Sequence, residues 1–267
     1  LDEVVRLSLE TGHYECFPTG APSGLVFHDM AYDRQTGKLL AIANTTGAAG
    51  PTAVSFDTRR CETARIIEHV APDSYLHGHF PNGDGTWTVI AGTPGTSLLQ
   101  WDPRTDDIEV KRLRESCDLH AEQAAGSYYR LVQDEEGRVY FPRRGWYDPL
   151  QQRFVDDGPH PDHEMTWFAR GDETVVGVNC SEGDTTVGLW DLSSGAVKEV
   201  ARCKDSPLLN INVTESDRLL CVNMYGEFTR RDLPSGRLEL SRLLPVDGVQ
   251  KTDCLRLIDD NRLLGTL

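Results

Sequence analysis

Residues 189–200 read LWDLSSGAVKEV and residues 230–240 read RRDLPSGRLEL. In each, a short β-rich run ends in Asp, a four-residue turn closing on Gly follows, and a second β-rich run begins. The Asp side chain can accept from the backbone N–H groups just ahead of it, and Gly takes the positive-φ position, which together make a hairpin signature. The same shape recurs at 55–67 (SFDTRRCETARII), 100–113 (QWDPRTDDIEVKRL) and 146–155 (WYDPLQQRFV), and in degenerate form, with Ser8 for Asp, at 4–16 (VVRLSLETGHYEC).

Ahead of five of these hairpins stands another: a strand, a polar turn (DRQTG, NGDG, DEEG, RGDE or ESD) and an apolar strand (KLLAIAN, TWTVIAG, RVYFPRR, TVVGVN or RLLCVN). Each period therefore reads as four antiparallel strands, a propeller blade. The Asp-equivalent positions 8, 57, 102, 148, 191 and 232 are 49, 45, 46, 43 and 41 residues apart, and the step from 232 through the C-terminus back to 8 is 43. Residues 252–267 read as the first two strands of a blade and 4–16 as the last two, so the termini are expected to complete one shared blade and leave no free sheet edge. The expectation is an all-β, six-bladed β-propeller filling 1–267, with blades at about 24–70, 74–114, 124–157, 163–202 and 206–243, and 252–267 joined to 1–18. An α/β enzyme would need amphipathic helices between the strands, and the pattern holds none. One insertion, RESCDLHAEQAAG at 114–126, is expected to form a short helix or lid.

The blade period and the aromatic-Asp turn resemble the six-bladed β-propeller superfamily along the whole chain. That superfamily includes gluconolactonase-like (SGL) hydrolases, strictosidine-synthase-like enzymes and purely binding propellers; lyase-type propellers are related seven-bladed forms. The resemblance implies architecture and leaves chemistry open, because no family-specific motif accompanies it.

Composition narrows the partners. With 42 acidic against 27 basic side chains the formal charge is −15, which repels phosphate backbones and anionic lipid, so no nucleic-acid partner is expected. No apolar run approaches the roughly 18 residues of a membrane span, and LDEVVRLSLE lacks the features of a signal peptide. The seven Cys include no CxxC pair, and their odd number favours a reduced, cytoplasmic setting; the sequons at Asn44, Asn179 and Asn212 would matter only after secretion. Trp101, Trp146 and Trp190 stand at repeat positions and are expected to pack between blades.

Chemistry-bearing residues gather where the innermost strands should begin, at the mouth of the central channel. They are His28-Asp29, His77-Gly78-His79, Tyr128-Tyr129 after His120 and Glu122, His163-Glu164 after His160, Asn210 with Asn212, and Asp253. Six of the eight His belong to this set. The ends of the second strands add Asn44, Arg143-Arg144, Asn179 and Asn223. Imidazoles from several blades (His28, His77, His79, His163) beside Glu164 could hold one divalent cation, Mn, Zn or Ca, with a coordination position left open. His28, His77, Tyr128 and His163 are then the candidate proton carriers of a lyase or hydrolase. Asn44, Arg143, Arg144, Asn179, Asn223 and Asp253 would bind a small polar or carboxylated substrate. A metal-free acid–base pair is the variant of this reading. Its rival is a non-catalytic scaffold or sensor that binds protein through a face or rim. Asn at a turn also has a purely structural use, since it tolerates left-handed backbone and satisfies turn groups. Nucleotide-binding loops and the GxSxG elbow are absent from the sequence.

Overall fold

The computed structural model describes residues 3–22, 25–45, 51–70, 76–92, 96–112, 131–141, 145–162, 167–170, 175–181, 184–203, 208–214, 216–223, 227–243, 255–259 and 261–266, with backbone alone at 25–29, 44–45, 76–78, 90–92, 96–97, 112, 167–170, 178–181, 184, 203, 208–210, 255–258 and 266. These residues form 24 strands in six four-stranded antiparallel sheets. Blade one holds β3 (Leu25–Asp33), β4 (Lys38–Thr45), β5 (Thr52–Asp57) and β6 (Glu62–Ile67). Blade two holds β7 (Leu76–Pro81), β8 (Trp87–Gly92), β9 (Thr96–Asp102) and β10 (Asp107–Arg112). Blade three holds β11 (Val132–Gln133), β12 (Val139–Phe141), β13 (Gly145–Asp148) and β14 (Arg153–Val155). Blade four holds β15 (Trp167–Arg170), β16 (Val175–Ser181), β17 (Asp184–Trp190) and β18 (Val197–Cys203). Blade five holds β19 (Leu208–Val213), β20 (Arg218–Asn223), β21 (Glu227–Asp232) and β22 (Leu238–Leu243). Blade six joins the two ends of the chain: β23 (Leu255–Asp259) and β24 (Arg262–Thr266), then β1 (Glu3–Ser8) and β2 (Tyr14–Pro18). Thr266 pairs with Val4, and β23 lies against β3, so the ring closes on itself. No helix occurs among the described residues, and none there could cross a membrane. The segment 114–126 lies outside them.

The repeated turn works as its sequence dictates. Asp57 Oδ1 accepts from Arg59 N at 2.9 Å, Asp102 Oδ1 from Arg104 N at 2.9 Å, Asp148 Oδ1 from Leu150 N at 2.8 Å and Asp191 Oδ1 from Ser193 N at 2.8 Å. Asp232 Oδ2 accepts from Ser235 N at 3.2 Å, and in the degenerate sixth turn the Ser8 hydroxyl accepts from Thr11 N at 3.3 Å. Four residues beyond each of these positions the backbone is left-handed: Gly12, Cys61, Asp106, Gln152, Gly195 and Gly236.

Between strands the core divides into six apolar clusters, one at each blade-to-blade interface. Val4 and Leu264 of blade six meet Met30, Leu39 and Phe56 of blade one. Leu40 and Ile42 face Val89, Leu99 and Trp101 of blade two. Phe80 and Leu98 meet Phe141 and Tyr147, and Tyr140 and Trp146 meet Val175 and Trp190. Val176 and Val187 meet Ile211, Leu219 and Cys221, and Leu220, Val222 and Phe228 meet Leu7 and Leu263. Successive side chains of a strand point to opposite faces, so Leu39 and Leu40, or Leu219 and Leu220, serve different interfaces. That is why the second strands are apolar at successive positions: both of their faces are buried. Trp101, Trp146 and Trp190 are all buried in these layers, as their repeat positions implied.

Candidate functional site

Antiparallel order from the inside out puts the first-to-second and third-to-fourth turns of every blade on one face, and the remaining connections on the other, the channel-mouth face. The backbone brings several sequence-selected residues to the mouth end. Asn44 pairs with Val26, Asn179 with Thr186 and Asn223 with Leu208, each at the far end of a second strand. His28 and His77 lie in the opening halves of β3 and β7, innermost strands that pack side by side. The side chains of His28, Asn44, His77 and Asn179 are not among those described, and Tyr128, Arg143, Arg144, His163, Glu164 and Asp253 lie wholly outside the described residues.

Two candidates can be followed to their side chains. Asn223 is buried; its Oδ1 accepts from Glu227 N at 2.9 Å and its Nδ2 donates to Glu227 Oε2 at 3.2 Å, which gives it a part in closing the β20–β21 hairpin. His79 is half-buried with its ring 5.8 Å from that of Trp87. Among the described residues no three His, Cys, Asp or Glu side chains gather into a metal-holding group.

The mouth carries a feature that sequence reading missed. Pairing slips at Phe27/Asp29 in β3, at Leu76/His79 in β7 and at Leu208/Asn210 in β19, so His28, the His77-Gly78 pair and Leu209 fall at β-bulges in three innermost strands. A bulge interrupts side-chain alternation and is enriched beside functional sites. Gly78 was the one local hint, since an isolated Gly in a strand pattern often marks a bulge.

His160 is placed differently from its sequence grouping with His163. After β14 the chain folds back toward the turn face: Asp162 N donates to Gly195 O at 3.0 Å, and Asp162 Oδ1 accepts from Val197 N at 3.0 Å. The exposed imidazole of His160 stands edge-on to Tyr140, with centroids 5.7 Å apart.

This segment helps to wall a concavity, a groove of about 940 Å³ on the turn face between blades three and four. Its floor is Trp146, Val175, Leu189, Trp190 and Leu192, and its rim carries Asp134, Glu135, Glu136 and Asp191 against Arg138 and Lys198. The floor is rigid by construction. Tyr140 packs edge-on against Trp190 at 4.9 Å and Trp146 at 5.4 Å, Trp146 Nε1 donates to Pro159 O at 2.9 Å, and the Arg138 guanidinium covers the Trp146 ring at 5.6 Å. Burial in this aromatic cage pushes the Tyr140 phenol up to about 12. On the rim, hydrogen bonds from the hydroxyls of Ser193 and Ser194 and from the Ser193 backbone N–H hold Asp191 down to about 2. Arg138 is engaged by Asp134 at 2.6 Å, Asp157 at 3.2 Å and Glu136 at 3.4 Å.

No family model and no curated protein matches the chain. Solved structures do. KlHsv2 with loop 6CD replaced by a Gly-Ser linker aligns with a TM-score of 0.51 at 9% identity, over 88% of this chain and 87% of that one. The Dos1 propeller aligns with a TM-score of 0.51 at 13% identity, over 84% of this chain and 60% of its own. The Myceliophteria thermophila Cps50 (Swd1) β-propeller domain gives 0.48 at 9% identity, over 92% and 98%. At these identities the likeness is one of fold. For the first two it supports the propeller fold read from the sequence, the blade count coming from the six sheets, and it carries no family among propellers.

Proposed function

We propose that this protein is a non-catalytic binding propeller, and that the groove between blades three and four receives an extended protein segment with an apolar side chain next to a basic one. The observation that carries this reading is the groove itself: an aromatic and aliphatic floor framed by four carboxylates and two cations, in a chain of net charge −15. An apolar anchor gains by leaving water, and the acidic rim selects its flanking charge and speeds encounter. The partly buried Leu192 lines the groove from the β17–β18 turn, so Leu192→Asp should cut binding of a labelled Leu/Arg-rich peptide about tenfold or more, with the melting curve little changed. Equal affinity in the variant would sink the groove as the docking site.

The second reading is the channel-mouth enzyme, and its specific support is the pair of bulges at His28 and His77-Gly78 in adjacent innermost strands. There His28, His77, His79 and His163 with Glu164 would hold a divalent ion or carry protons. Metal content of the purified protein, measured beside a His77→Ala, His163→Ala double variant, tests it: stoichiometric metal lost in the variant supports a mouth site, and no metal in either removes the metal-dependent form.

A further inference from the structure

We infer that a second cleft, on the turn face between blades five and six, binds a single oxyanion, either inorganic phosphate or the phosphate of a phosphoserine side chain. The cleft encloses about 660 Å³ and is lined by Ser216, Arg218, Arg230, Arg237, Glu239 and Asn261, with Leu238 at its edge. Three guanidinium groups converge on one carboxylate. Glu239 Oε2 lies 3.0 Å from Arg218 Nε and 3.4 Å from Arg230 Nε, and Glu239 Oε1 lies 3.6 Å from Arg237 Nη2. Arg218 is further engaged by Asp232 Oδ1 at 3.2 Å and by Ser216 O at 2.9 Å.

The arithmetic of donors points to a missing acceptor. Arg218 is satisfied by two carboxylates and a carbonyl. Among the described residues Arg230 has its ion pair to Glu239, and its buried Nε, 3.4 Å from Glu239 Oε2, makes no hydrogen bond. A buried charged donor that lacks a hydrogen bond is expensive even within an ion pair, whereas a charge-assisted hydrogen bond to an oxyanion is among the strong ones. Three cations against Glu239 and Asp232 leave one positive charge in excess. Blade five is also locally neutral: residues 208–243 hold five Arg and five acidic side chains in a chain of net charge −15. Glu239 acts here as a positioning residue, because it anchors Arg230 and Arg237 from its two oxygens and leaves their outer N–H groups for a ligand. The global negative charge repels extended polyanions and anionic membranes, so the cleft suits one isolated phosphate group. The site shares no residue with the groove between blades three and four, and it stands whether or not that groove binds protein.

Calorimetric titration with inorganic phosphate, with a phosphoserine peptide and with the same peptide unphosphorylated tests the proposal, chloride being held constant. Saturable binding of phosphate or of the phosphopeptide, with none of the unphosphorylated peptide, is expected. Arg230→Gln with Arg237→Gln should weaken it about tenfold or more, while Leu192→Asp leaves it unchanged. Comparable phosphate and phosphopeptide affinities identify a solute site; a phosphopeptide bound about tenfold or more tighter identifies a protein segment as the source. Glu239→Gln, which raises the local excess charge while keeping the shape, should tighten phosphate binding several-fold. No saturable binding of either probe into the tens of millimolar, or equal binding by the folded Arg230→Gln, Arg237→Gln protein, overturns the proposal. So does binding of anionic vesicles in preference to both probes.

Discussion

Asp106 shows how one side chain ties two blades. It stands in the β9–β10 turn of blade two with left-handed φ of 62°, is 8% exposed, and accepts from Lys38 Nζ and Ser55 Oγ of blade one. Lys38→Met would keep the aliphatic stem and strand Asp106 without its cation. Removing one partner of a buried pair costs about 3–5 kcal/mol, and that loss is expected in urea unfolding. Adding Asp106→Asn should recover much of it. By contrast Arg6→Met, at the more exposed ion pair to Glu15, should move the unfolding midpoint far less. Equal effects at the two sites would contradict the inter-blade role of Asp106. Acid titration reads a different set of residues. Hydrogen bonds hold Asp84, Asp102, Asp191 and Asp232 below the usual carboxylate range, Asp191 to about 2. An unfolded Asp protonates near 3.9, so below that pH the unfolded chain binds more protons, and the stabilisation present above it is lost as pH falls toward 2. Ser193→Ala with Ser194→Ala should therefore lower stability at pH 7, and the deficit should close as pH falls from 4 toward 2. A deficit that persists unchanged at low pH would assign the serines another role.

At the scale of the strand and turn, the Asp hairpin is the unit. Gly236 has φ of 68°, and a Cβ there would meet Val200 O of the neighbouring blade at 2.3 Å, whereas at Gly12 (φ of 75°) it would meet the end of a long side chain, Arg242 Nη1, at 3.1 Å. Gly236→Ala should cost about 2 kcal/mol or more, Gly12→Ala about 1 kcal/mol. Similar midpoints in denaturant for the two would refute the tight inter-blade contact. These turns were legible because their chemistry is local: Asp and the residue four ahead of it lie in one short window. Cys61, Asp106 and Gln152 hold the same left-handed backbone without Gly, so the Asp cap and strand pairing set the geometry. The bulges at His28 and Leu209 were not legible, since a slip in pairing depends on the partner strand, and at His77-Gly78 the isolated Gly was the one hint. Nor was the groove, which joins 134–138 to 189–198 beside a segment that Asp162 and Pro159 tie down through contacts distant in sequence.

At the scale of the molecule, closure is the controlling feature. The all-β ring and the blade shared by both termini followed from a period that persists across the ends of the chain. The channel-mouth set rested on residue type alone, with ligands drawn from separate blades and no local motif to mark them. Deleting residues 1–18 removes β1 and β2, leaves β24 with an open edge and strips Val4, Leu7 and Leu9 from two interfaces. Loss of a cooperative melting transition is expected. A circular permutant that joins Leu267 to Leu1 and opens the chain beside Leu150, 92% exposed in its turn, should melt close to the parent. A deletion that melts like the parent would mean that the shared blade does not hold the ring. The groove between blades three and four is held by their own buried interface of Tyr140, Trp146, Val175 and Trp190. The most direct test of its role is a charge exchange. Fluorescence anisotropy would compare a Leu/Arg peptide with its Leu/Glu counterpart on the parent protein and on Glu135→Lys, Glu136→Lys. Preference for the basic peptide should turn into preference for the acidic one at unchanged fold. An unchanged preference, or no binding of either peptide by the parent, would contradict a protein-binding groove between blades three and four.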